Sequence, residues 1–115
     1  MAVNFSTNTP KALLDNFKKQ IDDKKIVTWR YDADGDFTHT PIQWDGKAWM
    51  RPAIDTGGLR FNVIGSSGHL TSWEIYSVYQ GRFIEAMVSH CHDLFTIGSA
   101  TSKPTNSDAI TTKVA

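Results

Sequence analysis

Asp32-Ala33-Asp34-Gly35-Asp36 sets three carboxylates on alternate positions of one short segment, and His39 follows three residues later. Carboxylate oxygens at that spacing suit a hard cation such as calcium or magnesium. With His39 nearby they are the donor types of a small metal-assisted hydrolase or nuclease: Asp32, Asp34 and Asp36 as ligands, His39 and Asp36 as the catalytic pair. The same residues also make a plainer object, because Asp and Gly are what a polar hairpin turn prefers.

The segment superficially resembles the opening of an EF-hand calcium loop, and the likeness then stops. Position six is Phe37 where a glycine makes the sharp turn, and position twelve is Gln43 where a bidentate Glu belongs. His90 and His92 do not supply a metal site of their own. His90 and His92 flank Cys91, but residues two apart on a helix point roughly 200° apart and cannot share one ion. Cys91 is the only cysteine, so no CxxC pair exists. It also sits inside a helical pattern, away from the N-terminus that would stabilise a thiolate. No Gly-x-Ser-x-Gly elbow occurs. Gly65-Ser66-Ser67-Gly68 precedes a helix start but carries no Walker lysine and no dinucleotide fingerprint, and reads as a loop.

A second constellation is apolar. Tyr76, Tyr79, Phe83, Met87, His90 and Leu94 recur at helical spacing. Such a stripe is either core, with His90 satisfied by a hydroxyl or a carbonyl, or the lining of a small-ligand pocket. In that pocket Tyr76, Tyr79 and Trp73 would form the walls and His90 the polar handle. Ile84, Val88 and Phe95 widen the apolar arc to one side, beyond what one sheet face need cover; either the first helix or a second subunit would cover the remainder. Gly81 in the middle of this helix costs up to about 1 kcal/mol against alanine, which asks for close packing or a kink as its reason.

The elements that must position these groups follow from the pattern. Thr9-Pro10 starts a first helix, with proline at N1 and an apolar stripe of Leu13, Leu14, Phe17 and Ile21. Four strand-like segments come next: Ile26 to Tyr31, Phe37 to Trp44, Lys47 to Ile54 and Leu59 to Ile64. Turns at 32–36, at Asp45-Gly46 and at 55–58 separate them. Pro41 and Pro52 assign their strands to edges or bulges. Thr71-Ser72-Trp73-Glu74 fits a capping box for the last helix, with Leu70 and Ile75 as a hydrophobic staple. The expected fold is α+β: a four-stranded antiparallel meander with an N-terminal and a C-terminal helix packed on one face. The other face carries Thr28, Arg30 and Arg60. Residues 1–8 read as a flexible arm, 9–98 as the single domain, and 99–115, rich in Ser, Thr and Lys, as a disordered tail.

Composition narrows the partners. The chain has 115 residues, enough for one domain, and 12 basic residues balance 12 acidic ones. A neutral chain has no bulk attraction for nucleic acid or anionic membranes, and no apolar run reaches the roughly 20 residues of a membrane span. The N-terminus lacks a signal-peptide pattern, and a single cysteine fits a reducing compartment. The expectation is a soluble cytoplasmic binding or interaction domain, accessory, regulatory or inhibitor-like, without a cofactor and without catalysis. Its partner would be a protein or a second copy, with a small molecule as a further ligand class. The metal-assisted hydrolase is the alternative.

Overall fold

The computed structural model describes residues 2–66, 71–103 and 105. Its elements run β1 (Ala2–Ser6), α1 (Pro10–Asp22), β2 (Trp29–Tyr31), β3 (Phe37–His39), β4 (Ala48–Asp55), β5 (Gly58–Gly65), α2 (Trp73–Cys91) and β6 (Ile97–Ala100). A 3-10 turn, His92–Leu94, links α2 to β6. The architecture is α+β, with every strand pair antiparallel and both helices contributing to one core.

Among the described residues the sheet has six strands, in the order β2-β3-β4-β5-β1-β6, and not the four of a simple meander. The two additional strands come from segments whose sequence reads as arm and tail. Residues 2–6, inside the expected arm 1–8, form β1 and lie between β5 and β6. Their partners run from Ala2↔Asn62 to Ser6↔Gly58, more than fifty positions away. Residues 97–100 form the edge strand β6 against β1. The sheet therefore takes in residues on both sides of the 9–98 span. Of the expected tail, Ser99 and Ala100 belong to β6, and 106–115 lie outside the described residues.

The expected first and second strands shorten for local reasons. The amides of Lys25 and Ile26 still bond back to Gln20 O, at 2.9 and 3.1 Å, so the chain is finishing α1 there and pairing begins only at Trp29. Pro41 ends β3 early, as a residue with no amide donor must, and 41–47 closes as a loop in which Trp44 N donates to Pro41 O. The β4–β5 hairpin turns at Thr56-Gly57, where Gly57 takes φ +77° at no side-chain cost.

Alternation sorts the sheet into two faces. Val3 and Phe5 of β1, Met50 of β4, and Leu59, Phe61 and Val63 of β5 are buried under the helices. Leu13 and Phe17 of α1 and Tyr76, Tyr79, Phe83, Met87 and Cys91 of α2 complete the core. Phe83 sits at its centre. Its ring lies 4.4 Å from Phe61, 4.9 Å from Trp29 and 5.1 Å from Phe17, in the tilted and edge-on geometries that aromatic quadrupoles favour. Gly98 packs closely beneath this cluster: a Cβ there would stand 3.0 Å from the Phe5 ring, which would have to give way.

Two details of the helix starts differ from the sequence pattern. The N-cap of α2 is Ser72, whose hydroxyl accepts from Ile75 N at 3.1 Å, one residue later than a Thr71 box. Leu70, half of the expected staple, lies outside the described residues. At α1, Thr9 occupies the cap position without a capping hydrogen bond; its amide instead donates to Thr7 Oγ1.

Candidate functional site

The acidic turn is knit into itself. Asp32 Oδ1 accepts from the amides of Asp34 and Asp36, both at 3.0 Å, in the Asx geometry that Asp favours in turns. Asp36 is buried and grips Arg51 with two bonds, Nε to Oδ1 at 3.2 Å and Nη2 to Oδ2 at 2.9 Å. A carboxylate held bidentately by guanidinium has one bond on each oxygen and its charge paired. Asp36 and His39 are an odd number of residues apart across β3, so their side chains leave opposite faces. Among the described residues no three His, Cys, Asp or Glu side chains are placed to hold a metal ion.

His39 faces the core. It stacks on Trp29 with ring centroids 4.6 Å apart and meets Tyr79 edge-on at 6.2 Å. Its Nδ1 lies 2.7 Å from Thr28 O, which assigns the proton to Nδ1, and Nε2 turns toward Arg82 Nη1 at 3.5 Å. Burial lowers its pKa, the Thr28 carbonyl bond opposes that, and Arg82 adds to the lowering while Glu85 opposes it. Tyr79 extends this polar cluster. Its hydroxyl bonds Trp44 O and lies 3.0 Å from Thr38 Oγ1, and Thr38 Oγ1 in turn accepts from Gly46 N at 3.0 Å. The loop 41–47 is thereby tied to α2. These groups hold backbone, and burial pushes the Tyr79 phenol up in pKa, away from acid–base work near neutrality.

Trp73, Tyr76, Tyr79 and His90 do not share one pocket. Tyr76 and Tyr79 are core residues, and burial raises the Tyr76 phenol strongly. His90 is half-buried at the other end of α2, about 16 Å further along the axis than Tyr79 at 1.5 Å per residue. Cys91, four residues after Met87, takes the core position that the stripe offers to His90. Its thiol accepts from Asn16 Nδ2 at 3.3 Å, and burial raises its pKa, which leaves it a poor nucleophile. Trp73 is different: its ring stacks on Tyr76 at 5.5 Å and 23°, yet 58% of the residue is exposed.

Trp73 is one wall of a groove. Ser77, Gln80, Gly81 and Ile84 of α2 continue it, and Ala100, Thr101 and Ser102 at the end of β6 close the other side, around about 490 Å³. Among the described residues outside the helix's own backbone, nothing approaches within 4 Å of the place where a Gly81 Cβ would stand, so close packing against them does not explain that glycine. Trp73, Ser77, Gln80, Gly81, Ile84 and Val88 fall on one side of α2 at 3.6 residues per turn, and none is charged. Ile97 to Ser102 is also free of charge. Among the described residues the Lys and Arg ion pairs lie elsewhere: Arg30–Asp45, Arg51–Asp36 and Arg60–Asp55 join sheet and loop residues, and Lys11–Asp15 and Lys19–Asp23 line α1; His92 and Asp93 approach at 3.8 Å in the turn after α2. The sequence carries two signals for this groove: the uncharged side of α2 and a mid-helix glycine with no local purpose. The second wall is invisible there, because β6 is legible only through its pairing with β1.

Among the described residues no helix is long and apolar enough to cross a membrane. Comparison with protein-family models, with curated proteins and with solved structures finds no match, so the groove and the polar clusters stand on their own chemistry.

Proposed function

We propose that this protein is an interaction module that works by contact and not by bond chemistry, and that its working surface is the flank formed by α2 and β6. The observation that carries the reading is the groove between them. A half-exposed tryptophan walls it and a bare glycine floors it, on the side of α2 that carries no charge. Depletion of charge with an aromatic anchor is the composition of interface cores. An edge strand beside a helix groove is also the geometry by which extended segments are captured. The groups with catalytic chemistry support the same reading from the other side. Asp36 is committed to Arg51, His39 lies neutral in the core, and the Cys91 thiol is buried.

A photocrosslinking residue placed at Ser77, in cells that make the protein, should give a covalent adduct with protein. The same residue at Asp15, on the exposed side of α1, should give none. Absence of adduct at Ser77, or equal capture at both positions, would sink the reading.

A further inference from the structure

We propose that the occupant of the α2–β6 flank is a second copy of this chain, whose β6 pairs antiparallel with the first across a twofold axis and doubles the six-stranded sheet. The proposal rests on reading that flank as the interaction surface and names the partner it fits.

The edge strand comes first. β6 ends the strand order, and its outer edge has no strand partner among the described residues. Sheet edges are normally blunted by charge, proline or bulges. The opposite edge, β2, is three residues long, and its Arg30 reaches Asp45 and covers Trp49. β6 is Ile97-Gly98-Ser99-Ala100, with neither charge nor proline. Antiparallel self-pairing of such a strand brings no like charges together.

The flank is also two layers deep, and this selects the occupant. Ile97 and Ser99 register with Ser6 and Asn4 and so project on the open face of the sheet. Gly98 and Ala100 register with Phe5 and Val3 and project on the helix side, where Trp73 and Ile84 line the groove together with Ala100. Ile97 is 63% exposed, Val88 50% and Trp73 58%. A lone extended peptide would satisfy the β6 edge and leave the outer part of the α2 side bare. A second copy brings a strand for the strand edge and an uncharged helix side for the helix side. A twofold axis makes each patch its own complement, the isologous arrangement common among dimers. The formal net charge of zero removes long-range repulsion between copies. α2, with 19 residues, runs about 28 Å along this flank.

Sedimentation velocity over a concentration series tests this on the full chain. The wild type should sediment at twice the 12.9 kDa chain mass. Val88→Lys and Ile97→Lys lie on the two layers of the flank at exposed positions, so each should keep the circular-dichroism melt of the wild type. Each should weaken the dimer at least about tenfold, or about 1.4 kcal/mol. A wild type that stays monomeric at hundreds of micromolar overturns the second copy, as does a dimer that both folded variants leave unchanged. The mass of the Ser77 adduct separates the two levels. An adduct with a different protein, together with a monomeric wild type, ends the self-pairing proposal and keeps the interaction surface. No adduct together with a monomer ends both.

Discussion

At the β2–β3 end of the sheet, side chains hold the backbone in place; at the β1–β6 end, the backbone ladder and apolar packing do. β3 registers with β4 at a single pair, Phe37↔Met50. The slack is taken up by Tyr79 on Trp44 O, Thr38 on Ala48 O and His39 on Thr28 O. β1 pairs over its full length with β5 and along four residues with β6, and its buried side chains Val3 and Phe5 are wholly apolar. The contrast teaches where each end is vulnerable. Hydrogen bonds from single side chains contribute about 1 kcal/mol each, and the one from His39 responds to pH. A ladder closed between residues 2–6 and 97–100 stands or falls as a unit.

Removing residues 1–6 should have the largest effect. It takes out an interior strand, strands β6 and uncovers Leu59 and Phe61. The expected result is loss of the cooperative thermal transition, and a truncated chain that melts like the full one would return these residues to the status of an arm. Gly98→Ala should cost about 1–3 kcal/mol by overpacking. The new methyl meets a Phe5 ring that Phe61, Phe83 and Phe95 already confine. Urea denaturation reads the loss, and a neutral result would mean that the β1–β6 end yields more readily than a ladder should. Tyr79→Phe should cost about 1 kcal/mol and loosen the other end locally, so limited proteolysis should cut within 41–47 before global unfolding.

The smallest effect is a pH slope. Burial holds the folded pKa of His39 below its ordinary value, so the unfolded chain takes up the proton first. His39 therefore contributes stability that is complete above about pH 6.5. That contribution is lost as pH falls from there toward the folded pKa. The melting temperature should drop between about pH 7.5 and pH 5.5, and the drop should be shallower in His39→Phe. Parallel profiles for the two proteins would place the acid sensitivity elsewhere.

The two ends also differ in how far they can be read from sequence. Asp and Gly at 32–36 specify their turn through bonds spanning two and four residues, so that turn is legible without the fold. The apolar stripes of Leu13 and Phe17 and of Tyr76, Tyr79, Phe83 and Met87 are legible for the same local reason, the helical period. The stripe misleads only at its end, where the drift of 3.6 residues per turn turns Cys91 inward and His90 toward solvent. His39 reads as a metal-site histidine because it follows three carboxylates. It is a core residue because Trp29, its cross-strand neighbour, covers it.

Sequence by itself determined the class of this protein: two amphipathic helices, antiparallel strands between them, an aromatic core and a chain without net charge. Each of these is written in spacings of two to four residues or in bulk composition. Only the tertiary structure decided that residues 2–6 are an interior strand, that 97–100 make an edge, and that Trp73, Gly81 and Ala100 surround one groove. Those outcomes depend on pairing residues more than fifty positions apart, which no local pattern encodes.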